Sequence, residues 1–233
     1  MNINPPTPMQ PARSAETIAM GQGASGTGGG MQAVRADWQL TLNVFHSHGF
    51  VGGAGRLLVH NEQPGELSEL TLYLPAAHNT QPGTMRLLGA TIVSAKPGMP
   101  AQPGQPLVVQ DHGMKAVLTL PVLRHNDWMY IDLTWDGGFP QGGSAWPGGA
   151  VPVGQFHPQV AAEVETEHGQ KALAPLSSRY EVTLGVEPGA QVRVEGEAEP
   201  ASHPSPDGQL VQYEFRSYGS AAVKAVVTAP ATG

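Results

Sequence analysis

Apolar and polar residues alternate with a period of two along much of this chain. Trp38, Leu40, Leu42 and Val44 fall on one side, and Gln39, Thr41 and Asn43 on the other. Successive side chains of a strand point to opposite faces, so this stretch reads as a half-buried β-strand. Similar patterns predict short strands over 56–61, 67–74, 85–95, 106–110 and 114–120. The clearest strand has Met129, Ile131, Leu133 and Trp135 alternating with Tyr130, Asp132 and Thr134. Tyr180, Val182, Leu184 and Val186 form another, and strands follow at Val192 and Val194, over 210–218 and over 221–228. No segment sustains a 3.6-residue period.

Turn signals separate these runs: Gln63-Pro64-Gly65, Gln81-Pro82-Gly83, Lys96-Pro97-Gly98, Asp111-His112-Gly113 and Asp136-Gly137-Gly138. Regular short strands between such turns predict an all-β chain built as an antiparallel β-sandwich. Two Gly/Pro-rich stretches interrupt the pattern. Residues 1–34 carry Pro5, Pro6, Pro8 and Pro11, then a glycine run from Gly21 to Gly30, and read as a flexible or partner-docking arm. Residues 35–233 read as one β body. Inside it, a loop at about 137–155 holds Phe139 and Trp146. A pure linker rarely carries two large aromatics, so this loop is expected to pack on the sandwich.

Composition narrows the function classes. The 233 residues include no cysteine, which removes thiol nucleophiles, cysteine zinc sites and iron–sulfur clusters. Twelve basic against nineteen acidic residues give a net charge of −7, so the basic footprint of a nucleic-acid binder is missing. No apolar run is long enough to span a membrane as a helix. The first residues hold no Lys or Arg before Arg13 and no apolar core, so they do not read as a secretory signal. The glycine run lacks the Lys-Ser or Lys-Thr of a phosphate loop.

Of the nine histidines, His46 and His48 are the metal candidates. Two apart on a strand, they would share a face and form half of a zinc or copper site. His60 and Glu62 are the nearest further ligands in sequence; surface histidines are the simpler reading. Asp127, Asp132 and Asp136 lie along one strand, with Asp132 expected to face solvent. The stretch Glu163 to His168 reads as a solvated loop or edge. The sequence holds no His-Glu-x-x-His and no Gly-x-Ser-x-Gly elbow. It offers no catalytic constellation, and no cofactor is implied.

The strand pattern resembles a known family. Trp38 to Val44, Gly53-Ala54-Gly55 leading into Arg56 to Asn61, and Leu67 to Leu74 before Pro75 are similar to the opening of the N-terminal β domain of M1-type zinc aminopeptidases. There a strand leads to a Gly-containing turn, a strand ending in Asn, and a leucine–x–leucine strand ending at Pro. Val117 to Pro121, Ile131 to Gly137, Phe156-His157-Pro158, and Tyr180 to Gly189 followed by Val192 to Gly196 extend the resemblance over about 36–229. It implies a saddle-like β-sandwich. The family's catalytic domain, with its Gly-x-Met-x-Asn loop and zinc helix, would begin where this sequence ends. The family's Asp-Glu-Pro signature is missing too, so no catalytic or metal residue carries over.

Three functions follow as expectations. The first is a non-catalytic module that binds a protein partner or self-assembles, docking its arm on a neighbouring subunit. The second is an accessory domain of an M1-type aminopeptidase whose catalytic part lies on a longer or separate chain. The third is a metal- or ligand-binding domain using His46 and His48.

Overall fold

The computed structural model describes residues 34–77, 83–140, 149–196 and 200–229. The arm expected over 1–34 lies outside these residues except for Val34, and so does Trp146. The chain forms β1 (Val34–Phe45), β2 (Phe50–Asn61), β3 (Leu67–Tyr73), β4 (Thr84–Ala95), β5 (Val108–Asp111), β6 (Lys115–Leu123), β7 (Trp128–Gly138) and β8 (Ala150–Pro152). It continues with β9 (Gln159–Glu165), β10 (Lys171–Pro175), β11 (Ser178–Val186), β12 (Gln191–Val194), β13 (Ala201–Pro204), β14 (Val211–Ser220) and β15 (Ala225–Thr228).

These strands make three sheets. A seven-stranded sheet runs β13-β14-β11-β1-β2-β7-β4, a five-stranded sheet β10-β9-β3-β6-β5, and a three-stranded sheet β12-β15-β8. The ladders are antiparallel except one: β1 pairs parallel to β11, from Asp37 opposite Arg179 to Val44 opposite Val186. The all-β sandwich read from the sequence is therefore the fold, with this parallel ladder at the centre of the large sheet. Residues from all three sheets contribute to a single apolar core.

The alternation read from the sequence is the alternation of burial. Trp38, Leu40, Leu42 and Val44 are buried, as are Met129, Ile131, Leu133 and Trp135. β2 begins earlier than its apolar run suggests, at Phe50, so Gly53-Ala54-Gly55 lies within a strand and is not a turn. The glycines have a packing reason. A Cβ on Gly53 would come within 2.2–2.5 Å of the Trp135 ring, and one on Gly55 within 2.9 Å of Leu40. The indole fills the space that side chains would otherwise take, and its Nε1 donates to the Phe156 carbonyl at 2.7 Å. Trp135, Trp38, Tyr180 and Phe156 are the largest fully buried side chains.

Two other stretches, read as loops or edges, are strand in part. Glu163 to Glu165 close β9, and the chain turns through 166–170 into β10. β9 escaped notice because Gln159 to Ala162 are all buried, which erases the two-residue alternation. In the loop expected at 137–155, the described flanks are packed. Phe139, Val151 and Val153 are buried, and the Phe139 ring lies 5.7 Å from that of Phe156. Asn61, wholly buried at the end of β2, joins two sheets. Its Nδ2 donates to the Gly65 and Leu123 carbonyls, each at 2.9 Å.

Candidate functional site

The β1–β2 connection carries the two candidate metal histidines. They sit in a tight turn and not on a strand, so the premise that they share a face does not hold. His46 points into the core end, 3% exposed, and its Nε2 lies 3.2 Å from the Val227 carbonyl of β15. A ring nitrogen facing a carbonyl must be the donor, so Nδ1 is left as an acceptor. That Nδ1 is buried and has no hydrogen-bond partner among the described residues. Burial lowers the His46 pKa, against the upward pull of the Val227 bond and of Glu187. His48 is exposed.

Between them, Ser47 is fastened to Glu187, one residue past β11. The Ser47 amide donates to Glu187 Oε2 at 2.9 Å, and the Ser47 hydroxyl donates to Oε1. Ser47 Oγ also lies 2.7 Å from His48 Nδ1. With its proton committed to the carboxylate, the Ser47 Oγ accepts from His48 Nδ1. Partial burial works to raise the Glu187 pKa, but the two Ser47 donors, with His48 and the His46 amide, together hold the carboxyl below its usual range. The cluster staples the hairpin turn to the end of β11 and presents one imidazole to solvent. Neither Ser47 nor Glu187 stood out in the sequence, because they are 140 residues apart. Among the described residues, no group of three or more His, Asp or Glu side chains is arranged to hold a metal ion.

The other titratable candidates are paired. Asp132 takes a two-pronged bond from Arg56 at 2.8 and 3.0 Å, and Asp136 one from Arg86 at 2.8 and 2.9 Å. Asp127 meets Lys96 at 3.0 Å. His60 Nδ1 lies 3.3 Å from Glu62. Each of the three aspartates thus faces a cation on the open side or rim of the large sheet.

His157, which the sequence marked only by its neighbour Pro158, is wholly buried. Its Nδ1 donates to the Pro158 carbonyl at 2.9 Å, and its Nε2 accepts from the Val223 amide at 3.2 Å. Its ring lies edge-on to Tyr180, whose hydroxyl donates to the Ala221 carbonyl. Burial pushes the His157 pKa down to about 4 and the Tyr180 pKa up to about 12. Two open grooves lie at the same end of the large sheet. One, of about 400 Å³, is lined by residues including Phe50, Thr84, Arg86 and Gly138. The other, of about 320 Å³, is lined by residues including Gly83, Phe139 and Pro140.

Set beside known proteins, this arrangement has relatives in structure only. No family model and no curated protein matches the sequence. Among solved structures, an M1 zinc metallopeptidase from Deinococcus radiodurans superposes with a TM-score of 0.53 at 16% identity, over 84% of this chain and 42% of that chain. A point mutant of that metallopeptidase bound to a Tyr-Ser-Ala substrate gives 0.52 at 18%, with the same coverage. A two-domain M1 zinc metallopeptidase mutant bound to L-tryptophan gives 0.51 at 19%, over 85% of this chain and 43% of that chain. The fold is one that M1 zinc metallopeptidases contain. The chain spans well under half the length of these M1 structures, and at such identity the likeness concerns the fold alone.

Proposed function

We propose that this chain is a non-catalytic β-sandwich module that works by binding another protein unit, and that the unit is the zinc-bearing catalytic part of an M1-type peptidase. The observation that carries the reading is the partial match: nearly all of this β body superposes on less than half of a metallopeptidase. The module would brace the catalytic unit and shape its substrate entrance, whether that unit lies on the same polypeptide or on another. The test is an assay of the protein isolated from its source with an antibody against this chain, using Tyr-Ser-Ala as substrate. The reading expects chelator-sensitive hydrolysis by the native species and none by the 233-residue chain alone. A native species that does not cleave the peptide, with or without added zinc, overturns it.

A second reading is assembly of copies through the N-terminal arm. It is favoured by the open face of the seven-stranded sheet, where Thr41, Ala54 and Thr134 are exposed in one register row across three neighbouring strands. Metal binding at His46 and His48 would require the turn to open, because His46 is buried in the core end and His48 faces solvent. Zinc titration by calorimetry, repeated on the His46→Ala, His48→Ala double variant, decides that third reading.

A further inference from the structure

The open face of the large sheet is not uniform. At its Val34 end β7 adds an aromatic to each row, Asp37–Leu58–Tyr130 and Arg35–His60–Trp128, with Arg35 and Asp37 paired to each other. Leu58 of β2 pairs with Tyr130 of β7, and His60 with Trp128. All four side chains lie on the face away from the core, since their strand neighbours Val59, Met129 and Ile131 are buried. Trp128 and Tyr130 are half-buried, and their rings meet at 73° with centroids 5.7 Å apart. Two rings that meet at this angle leave a corner between their planes, a shallow notch, and Leu58 lies opposite Tyr130 in the ladder beside it. The indole and phenol rings present apolar faces with a polar tip each, the surface that proline rings pack against.

The chain carries a segment of matching chemistry. Pro5, Pro8 and Pro11 are spaced by three. A polyproline II helix has three residues per turn, so in that form these rings share one edge, and its fixed backbone angle lowers the entropy lost on binding. The only charged side chain in the first thirteen residues is Arg13, opposite in sign to the chain's net charge of −7 and to Glu62 beside the notch. Residues 12–33 separate the segment from Val34, a contour of about 70 Å when extended, which is long enough to cross to another molecule.

We infer that the notch formed by Trp128, Tyr130 and Leu58 is a docking site for the proline segment Pro5–Pro11 of a second copy of this chain. The inference rests on the arm-assembly reading and is independent of the peptidase reading. The experiment uses the full chain and a synthetic peptide of residues 1–13. Sedimentation is followed as concentration rises, and the indole resonance of Trp128 is followed as peptide is added. The expected result is concentration-dependent association that the peptide reverses, with a shift of the Trp128 resonance. Trp128→Ala should weaken peptide binding by about tenfold or more, as loss of a central aromatic anchor does. The triple variant Pro5→Ala, Pro8→Ala, Pro11→Ala, which leaves the core untouched, should abolish association. It keeps the test decisive if Trp128→Ala does not fold. Association unchanged in the triple variant overturns the inference, as does peptide binding that leaves Trp128 unmoved. Peptide binding at Trp128 by a chain that stays monomeric at every concentration overturns the copy-to-copy assignment.

Discussion

The two faces of the seven-stranded sheet obey different rules. The inner face is a close-packed surface on which Trp135 lies over the space that Gly53 and Gly55 leave. The outer face has no such matching. It carries ion pairs such as Arg56–Asp132 and Arg86–Asp136, a band of small residues, and the aromatic corner at Trp128 and Tyr130. Packing is concentrated on the first face, and the recognition proposed for this chain would use the second.

The sharpest way to break this contrast is Trp135→Ala. It empties the space that Gly53 and Gly55 leave open and removes the Phe156 bond, so a loss of about 3–5 kcal/mol is expected in a denaturant titration. A loss comparable to that of an outer-face variant would dissolve the distinction. Next comes His157→Ala, which leaves the Val223 amide buried without its acceptor and should cost about 2–4 kcal/mol.

The same histidine sets a pH dependence. Its folded pKa of about 4 lies below the ordinary 6.5, so the unfolded chain binds more protons between those values and stability falls as pH drops. The contribution is complete above pH 6.5 and is lost on approaching pH 4, about 3 kcal/mol in all. Melting curves across that window should be flatter for His157→Ala than for the wild type. Equal slopes would mean that His157 takes up its proton in the folded protein near its ordinary pKa, so that folding does not depress it.

Gly53→Ala probes the gap from the other side. The added methyl collides with the Trp135 ring, and a loss of about 1–3 kcal/mol by chemical denaturation is expected for such overpacking. The smallest effect belongs to the outer face. Asp132→Asn removes a partly exposed ion pair with Arg56 and should change stability by less than about 1 kcal/mol. A larger loss would place part of the stabilising structure on the open face.

Much of the inner face was legible in the sequence because burial on one side only writes a period of two. The strands around Trp38, Met129 and Tyr180 follow from that rule without reference to distant contacts. Legibility fails where the rule does. The first half of β2 is glycine-rich because Trp135 needs the room, and nothing local announces a ring 80 residues away. The first four residues of β9 are buried on both sides, so the strand loses its alternation there. The parallel pairing of β1 with β11 joins residues about 140 apart and leaves no local mark. The sheet-end cluster was half legible. His46 and His48 could be named, but a two-residue spacing means one face only on a strand, and they occupy a turn. The groups that hold this turn, Glu187 just past β11 and Val227 on β15, come from far along the chain. The outer face is the least legible part, since polar residues facing water obey no packing constraint that a sequence could show.

The central claim is that this module acts on a further protein unit, and the mass of the native species tests it most directly. Protein captured from its source with an antibody to the β body should have an intact mass well above 24.4 kDa, or bring with it a second chain, and the added sequence should contain a His-Glu-x-x-His helix. A native species made only of 24.4 kDa chains would contradict the peptidase reading and leave assembly of copies as the role of the fold.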